Sequence, residues 1–192
     1  MNPKFSHQQY RIRKQVLSLA GARIDIFDTA GRAILFSKMK AFKLKEDIRL
    51  FEDESMTKEL VTIQARNVID FSAIYDVVDA ETGGRIGSLQ RKGMKSMFKD
   101  EWSILNANEA AIGLIQEDNA WLAFVRRFLT QLIPQKFKLQ IDSRQVALFR
   151  QNFNPFVSKL HLDFSQDTGN QLDRRLGLAA AVLMLVVEGK QG

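Results

Sequence analysis

Between residues 10 and 164 apolar and polar side chains alternate in short runs, the period of two that a strand with one buried face requires. Over 10–19, Tyr10, Ile12 and Val16 share one face and Arg11, Arg13 and Gln15 the other. Over 22–28, Ile24 and Ile26 oppose Arg23 and Asp25. Ala20-Gly21 and Thr29-Ala30-Gly31 supply the intervening turns, and 32–37 returns from the second. Further runs at 46–52, 58–65, 71–79, 85–91, 100–105, 110–117, 136–141, 145–151 and 156–164 complete about twelve predicted strands. The sharpest turn signal is Thr82-Gly83-Gly84, since adjacent glycines reach the positive φ of a tight hairpin without a steric penalty. In the last run Phe156, Leu160, Leu162 and Phe164 are set against Val157, Lys159, His161 and Asp163.

Two segments leave this period. Over 119–132, Trp121, Val125, Phe128 and Leu132 recur at helical spacing with Arg126 and Arg127 opposite, and Pro134 ends the pattern. That predicts an amphipathic helix packed on the sheet, with a membrane-surface or partner-binding helix as the alternative. The second segment, 176–187, is apolar on every helical face and is flanked by Asp173-Arg174-Arg175 and Glu188-Gly189-Lys190. A helix of that kind must be enclosed by lipid or by protein. Its apolar run covers only about 18 Å, against a hydrocarbon core of about 30 Å. Enclosure by the rest of the chain is therefore predicted. Capping is available from Thr168 with Gln171 or from Asn170 with Asp173.

A sheet of about twelve strands that closes on itself removes its edges and leaves an interior too wide for side chains alone. The expected fold is accordingly mainly β: a closed antiparallel barrel wrapped around a buried C-terminal helix, in a single domain over 1–192. Residues 1–8, which lack the apolar core of a signal peptide, are expected as a flexible N-terminal tail.

The order of these motifs resembles the tubby C-terminal-like superfamily, in particular the LURP-one-related proteins and the cytosolic domain of phospholipid scramblases. The residues carrying the resemblance are 10–21, 24–31, 75–84 running into 86–92, Trp102 to Ile104, and 173–188. The resemblance implies a twelve-stranded barrel around a central C-terminal helix. Tubby domains bind phosphoinositides through basic side chains, scramblases are linked to phospholipid movement, and plant LURP-one relatives have defence-related roles. No residue-level match carries individual tubby ligands over. The acidic segment suspected of binding calcium in scramblases corresponds here to 163–173, where an EF-hand-like loop would need Gly at 168 and Glu at 174 but meets Thr168 and Arg174.

Charge narrows the functional classes. The chain of 192 residues carries a formal charge of +6, unevenly spread. Up to Lys45 the basic side chains are opposed only by Asp25 and Asp28, and the sign then reverses through Glu46, Asp47, Glu52, Asp53, Glu54 and Glu59. Cross-strand pairing accounts for such adjacent blocks, and a footprint for phosphate groups is the other reading. Two segments interleave cations with apolar tips: Lys38, Lys40, Lys43 and Lys45 with Met39, Phe42 and Leu44, then Arg91, Lys92, Lys95 and Lys99 with Met94, Met97 and Phe98. Cations bind lipid phosphates while apolar tips enter the headgroup region, each charge adding about 1 kcal/mol near an anionic surface.

Cysteine is absent, which excludes disulfides and thiolate chemistry and suits a reducing compartment. With two histidines, no phosphate-cradling glycine loop and no nucleophile elbow, no enzyme, cofactor or metal is expected. The expectation is a cytoplasmic module, peripheral at the membrane, binding phospholipid, phosphoinositide or anionic membrane surfaces through its basic loops. A protein-interaction scaffold without a lipid ligand is the alternative. Nucleic-acid binding through the N-terminal basic face is a second alternative, without a groove-reading helix or stacking motif to support it.

Overall fold

The computed structural model of the chain describes residues 2–17, 21–39, 47–66, 73–92, 101–118, 135–152, 154 and 156–187. Each predicted alternating run becomes a strand: β1 (Gln9–Val16), β2 (Ala22–Phe27), β3 (Ala33–Met39), β4 (Asp47–Phe51), β5 (Glu59–Ala65) and β6 (Ile74–Asp79). They continue as β7 (Arg85–Lys92), β8 (Glu101–Asn106), β9 (Ala111–Glu117), β10 (Gln135–Ile141), β11 (Arg144–Asn152) and β12 (Val157–Asp163). Every strand pairs antiparallel with its sequence neighbours, and β1 pairs with β12, which closes the sheet. The helix predicted over 119–132, like residues 40–46 and 93–100, lies outside the described residues.

Closure puts one side chain in two inside. Tyr10 and Ile12, Ile24 and Ile26, Ile63, Val77, Leu89, Ile104, Ile115, Leu139, Phe149, and Leu160 with Leu162 form one core at or near zero exposure. Through its middle runs α1 (Arg174–Val187), in which no residue from Leu178 to Leu185 is more than 2% exposed. The apolar segment is thus sheathed by protein, and among the described residues no helix is long and apolar enough to cross a membrane.

Because all neighbours are antiparallel, the odd-numbered strands end at one rim, here called upper, and the even-numbered strands at the lower rim. Helix α1 enters from the lower rim. The sequence offered Thr168 or Asn170 as its cap, but neither takes that place. Asp173 does so: its carboxylate accepts the Arg175 N–H (2.9 Å) and its carbonyl those of Leu176 and Gly177. Asp167 supports the turn before it, accepting from the Gln171 and Leu172 N–H groups and pairing with Arg174 at 2.6 Å. At the upper end the interior becomes polar. Lys14, on the inward face of β1, donates to the Leu185 carbonyl at 2.7 Å, satisfying one of the groups that a helix C-terminus leaves open. Glu117, Gln151 and Ser158 are buried at the same level.

Three expectations are corrected. Residues 2–8, expected as a flexible tail, are docked on the barrel. Pro3–Phe5 form a 3-10 turn, Phe5 is 3% exposed, and the Tyr10 hydroxyl donates to the Lys4 carbonyl while accepting the His7 N–H. Phe156, expected on the inward face of the last strand, points outward and is 75% exposed. It precedes β12 in a turn held by the Asn154 side chain, which accepts from the Phe156 and Val157 N–H groups before the ladder imposes alternation. Val16, expected inward beside Ile12, is 49% exposed, because at the barrel's end alternation no longer implies a covering neighbour.

Candidate functional site

Cations on this barrel fall into two groups, those matched by a carboxylate and those not. Among the described residues of the N-terminal basic block, Lys4, Arg13, Arg23 and Arg32 are matched. Arg13 and Arg23 both reach Asp25, at 3.2 and 2.8 Å, and Arg23 also pairs with Glu54. Arg49 pairs with Asp47 and Glu59, and Lys4 and Lys58 lie near Glu52. The adjacent blocks of opposite sign are joined by two pairs, Arg23 with Glu54 and Lys4 with Glu52. On the outer wall of β5 to β8, Arg66 grips Asp76 (2.6 Å) and meets Glu109, which also holds Arg85. Burial acts to raise the Asp76 carboxyl, but the hydrogen bonds from Arg66 and Ser88 and the charge of Arg66 outweigh it and hold the group below the usual range.

One group of unmatched cations gathers where the barrel closes. In register across three neighbouring strands stand Arg150 of β11, His161 of β12 and Arg11 of β1, all exposed. One step toward the upper rim, Lys159 of β12 stands beside Arg13. Among the described residues, Arg11, Arg150 and Lys159 form no ion pair. One step toward the lower rim the register is Leu148, Asp163, Gln9. The row of Arg150, His161 and Arg11, that of Leu148, Asp163 and Gln9, and the Asp28-Thr29 turn line a pocket of about 260 Å³. Its carboxylates are already committed. Asp28 accepts from the Arg32 backbone and guanidinium at 2.9 and 2.7 Å, and Asp163 from Gln9 and from Ser165. Burial lowers the pKa of His161, and the charges of Arg11, Arg150 and Lys159 lower it further.

At the upper rim above this face, three large apolar side chains are exposed together: Val16, Leu17 and Phe156. The Val16 N–H donates to the Phe156 carbonyl at 3.2 Å, which fixes the end of β1 beside the start of β12. Apolar tips thus sit at the rim end of the strands that carry Arg13 and Lys159, with the Gln15–Val157 pair between.

Of the residues singled out in the sequence, Lys38 is exposed near the upper end of β3, opposite Arg23. Arg91 and Lys92 end β7 at the same rim, opposite Trp102 and Glu101. Four strand spacings separate β3 from β7, about 19 Å along the wall, so Lys38 does not adjoin Arg91 and Lys92. Lys40, Lys43, Lys45, Lys95 and Lys99 lie outside the described residues. The row of Arg11, His161 and Arg150 was not found from sequence. Arg150 and His161 meet through the register of consecutive strands, and Arg11, about 140 positions earlier in the chain, joins them only through closure of β1 on β12. The one legible signal was that each occupies an outward position. Among the described residues no group of three His, Asp or Glu side chains is placed to hold a metal ion.

No protein-family model matches the chain, and no curated protein matches it in sequence. Its fold is similar to the crystal structure of an Arabidopsis thaliana protein, AT5G01750, with a TM-score of 0.53 and 15% identity. The similarity covers 97% of this chain and 96% of the other. At that identity the likeness is one of fold.

Proposed function

We propose that the chain is a non-enzymatic module that docks on anionic phospholipid surfaces with its upper rim toward the lipid. The observation carrying this reading is the exposed trio Val16, Leu17 and Phe156 at the rim end of the two strands that carry Arg13 and Lys159. Clustered large apolar side chains on a folded surface mark a place that something covers. With cations just behind them, an interface of acyl chains below charged headgroups fits both layers at once. Lys38 and Lys92 end their strands at the same rim and would add to the attraction.

Cosedimentation with vesicles of phosphatidylserine and phosphatidylcholine tests this. Wild-type protein should bind them, pure phosphatidylcholine should retain little, and binding should weaken as salt rises. Phe156→Ser should lower binding without altering the fold, since the ring is already in water. Lys159→Glu together with Lys38→Glu should lower it further, each reversal exchanging about 1 kcal/mol of attraction for repulsion. Vesicle binding identical in wild type and all of these variants would rule the reading out.

A further inference from the structure

The pocket below the rim carries a site of its own. Its free hydrogen-bonding groups are weighted toward donors. Asp28 and Asp163 are engaged by neighbours, and Gln9 gives its amide N–H to Asp163 at 3.1 Å. What remains is the guanidinium of Arg11, that of Arg150, the His161 ring, the Thr29 hydroxyl and the Gln9 side-chain carbonyl. Arg11 is placed by the turn beneath it. Gly31 adopts φ +82°, and a Cβ there would stand 3.1 Å from the Arg11 guanidinium, so the bare glycine leaves that group room over the Asp28-Thr29 turn. Arg11 and Arg150 flank His161 across two strand spacings, about 10 Å, a span that two arginine side chains close easily onto one tetrahedral group. Planar guanidinium forks match the oxygens of such a group in pairs. A volume of about 260 Å³ is below that of sites for drug-sized ligands, which run from about 300 Å³ upward.

We propose that this pocket binds a phosphate monoester group, clamped between Arg11 and Arg150 over the ring of His161. Binding is linked to a proton. The charges facing His161 are Arg11 and Arg13 from β1, Arg150 from β11, Lys159 and Asp163 on its own strand, and Asp28 from the turn after β2. Cations prevail among those left unengaged, which disfavours the charged imidazole. A bound dianion reverses that balance, and protonated His161 becomes a further donor to it. The site is independent of the membrane reading, because neither Phe156 nor the rim forms part of it.

The experiment is a titration of the intact protein with sodium phosphate and with sodium sulfate, followed by the NMR resonances of the His161 ring, which His161→Gln identifies against His7. Saturable shifts with an affinity in the millimolar range are expected, weakened about tenfold or more in Arg11→Gln and in Arg150→Gln. Sulfate keeps its charge from pH 7.5 to 5.5, so its affinity should rise over that interval in wild type and stay level in His161→Gln. The source of the group is read by adding glycerol phosphate in one arm and phosphatidic acid vesicles in another. Arg150→Gln weakening both assigns a lipid-borne phosphate, and weakening the soluble ligand alone assigns a free one. Phe156→Ser should leave phosphate binding unchanged, which separates failure of this site from failure of the membrane reading. Absence of a His161 response to either anion, or equal affinities in wild type and both arginine variants, would overturn the proposal.

Discussion

Lys14 shows how a single side chain on the polar half of an amino-acid scale enters an apolar barrel. Its stem lies along the interior of β1 and its ammonium meets the Leu185 carbonyl at 2.7 Å, where the helix dipole favours positive charge. Lys14→Met keeps the stem and removes the donor. A buried carbonyl left without that partner costs about 1–3 kcal/mol, which for a domain of this size is a fall in Tm of roughly 2–12 °C by thermal unfolding. An unchanged Tm would show that the bond contributes nothing net. Gly177 is the opposite case, a residue that matters for what it lacks. A Cβ there would lie 2.4 Å from Cζ of Phe164, whose ring is fixed between Tyr10 (6.1 Å) and the Arg174 guanidinium (4.4 Å). Gly177→Ala gains about 1 kcal/mol of helix propensity but overpacks a ring that has nowhere to go, at about 1–3 kcal/mol. Overpacking should win, so the variant should melt at lower temperature than wild type.

Two of the ion pairs that hold the central helix at its entry differ in worth. Arg174 and Asp167 have side-chain exposures of 9% and 1%, so Asp167→Asn would strand a buried cation with Asn170 as its remaining partner. Removing one member of a buried pair typically costs about 3–5 kcal/mol. Arg175 pairs with Asp79 at the end of β6, but both side chains keep about a fifth of their surface in water. Asp79→Asn should accordingly cost no more than about 1 kcal/mol. Urea unfolding of the two variants side by side checks the ranking, and equal losses would refute it. Hydrogen exchange should show the same order, with α1 amides opening earlier in Asp167→Asn than in Asp79→Asn.

For the whole molecule, stability should fall at both ends of the pH scale for opposite reasons. Burial pulls the Asp76 and Asp79 carboxyls upward. For Asp76 the hydrogen bonds from Arg66 and Ser88 prevail, and for Asp79 the backbone N–H groups of Thr82 and Glu81 with Arg175, leaving both below their ordinary value. A carboxyl depressed in the folded state contributes stability that is complete above its unfolded pKa of about 3.9 and is lost as pH falls through the folded one. At the other end, burial raises the Tyr10 hydroxyl to about 12, against hydrogen bonding by His7 and the charge of Arg174. The folded state then holds a proton that the unfolded chain releases near pH 10, so stability declines as pH rises from about 10 toward 12. Between these limbs urea midpoints should be level except for a small decline as pH falls below about 6.5, where the unfolded chain takes up a proton that the lowered pKa of His161 resists. Tyr10→Phe should flatten the alkaline limb and leave the acid limb in place; an unchanged alkaline limb would show that Tyr10 is not its source.

Much of this architecture was legible in the order of residues, because strand alternation and an all-apolar helix are local consequences of backbone geometry. All twelve strands arise at predicted runs, and the segment after Asp173 is enclosed by protein as its length and hydropathy require. Where the pattern misled, a neighbour or its absence decided: Phe156 is freed by the Asn154 turn, Val16 by the end of the wall, and residues 2–8 are captured by Phe5 and Tyr10. The candidate site was legible only as outward-facing positions. That His161 stands beside Arg150 is a matter of register between consecutive strands, and that Arg11 stands beside His161 is a matter of register between strands at opposite ends of the chain. Periodicity states which face a side chain takes. Which other side chains share that place is determined by hydrogen bonding between strands, and closing β1 on β12 is a property of the folded whole.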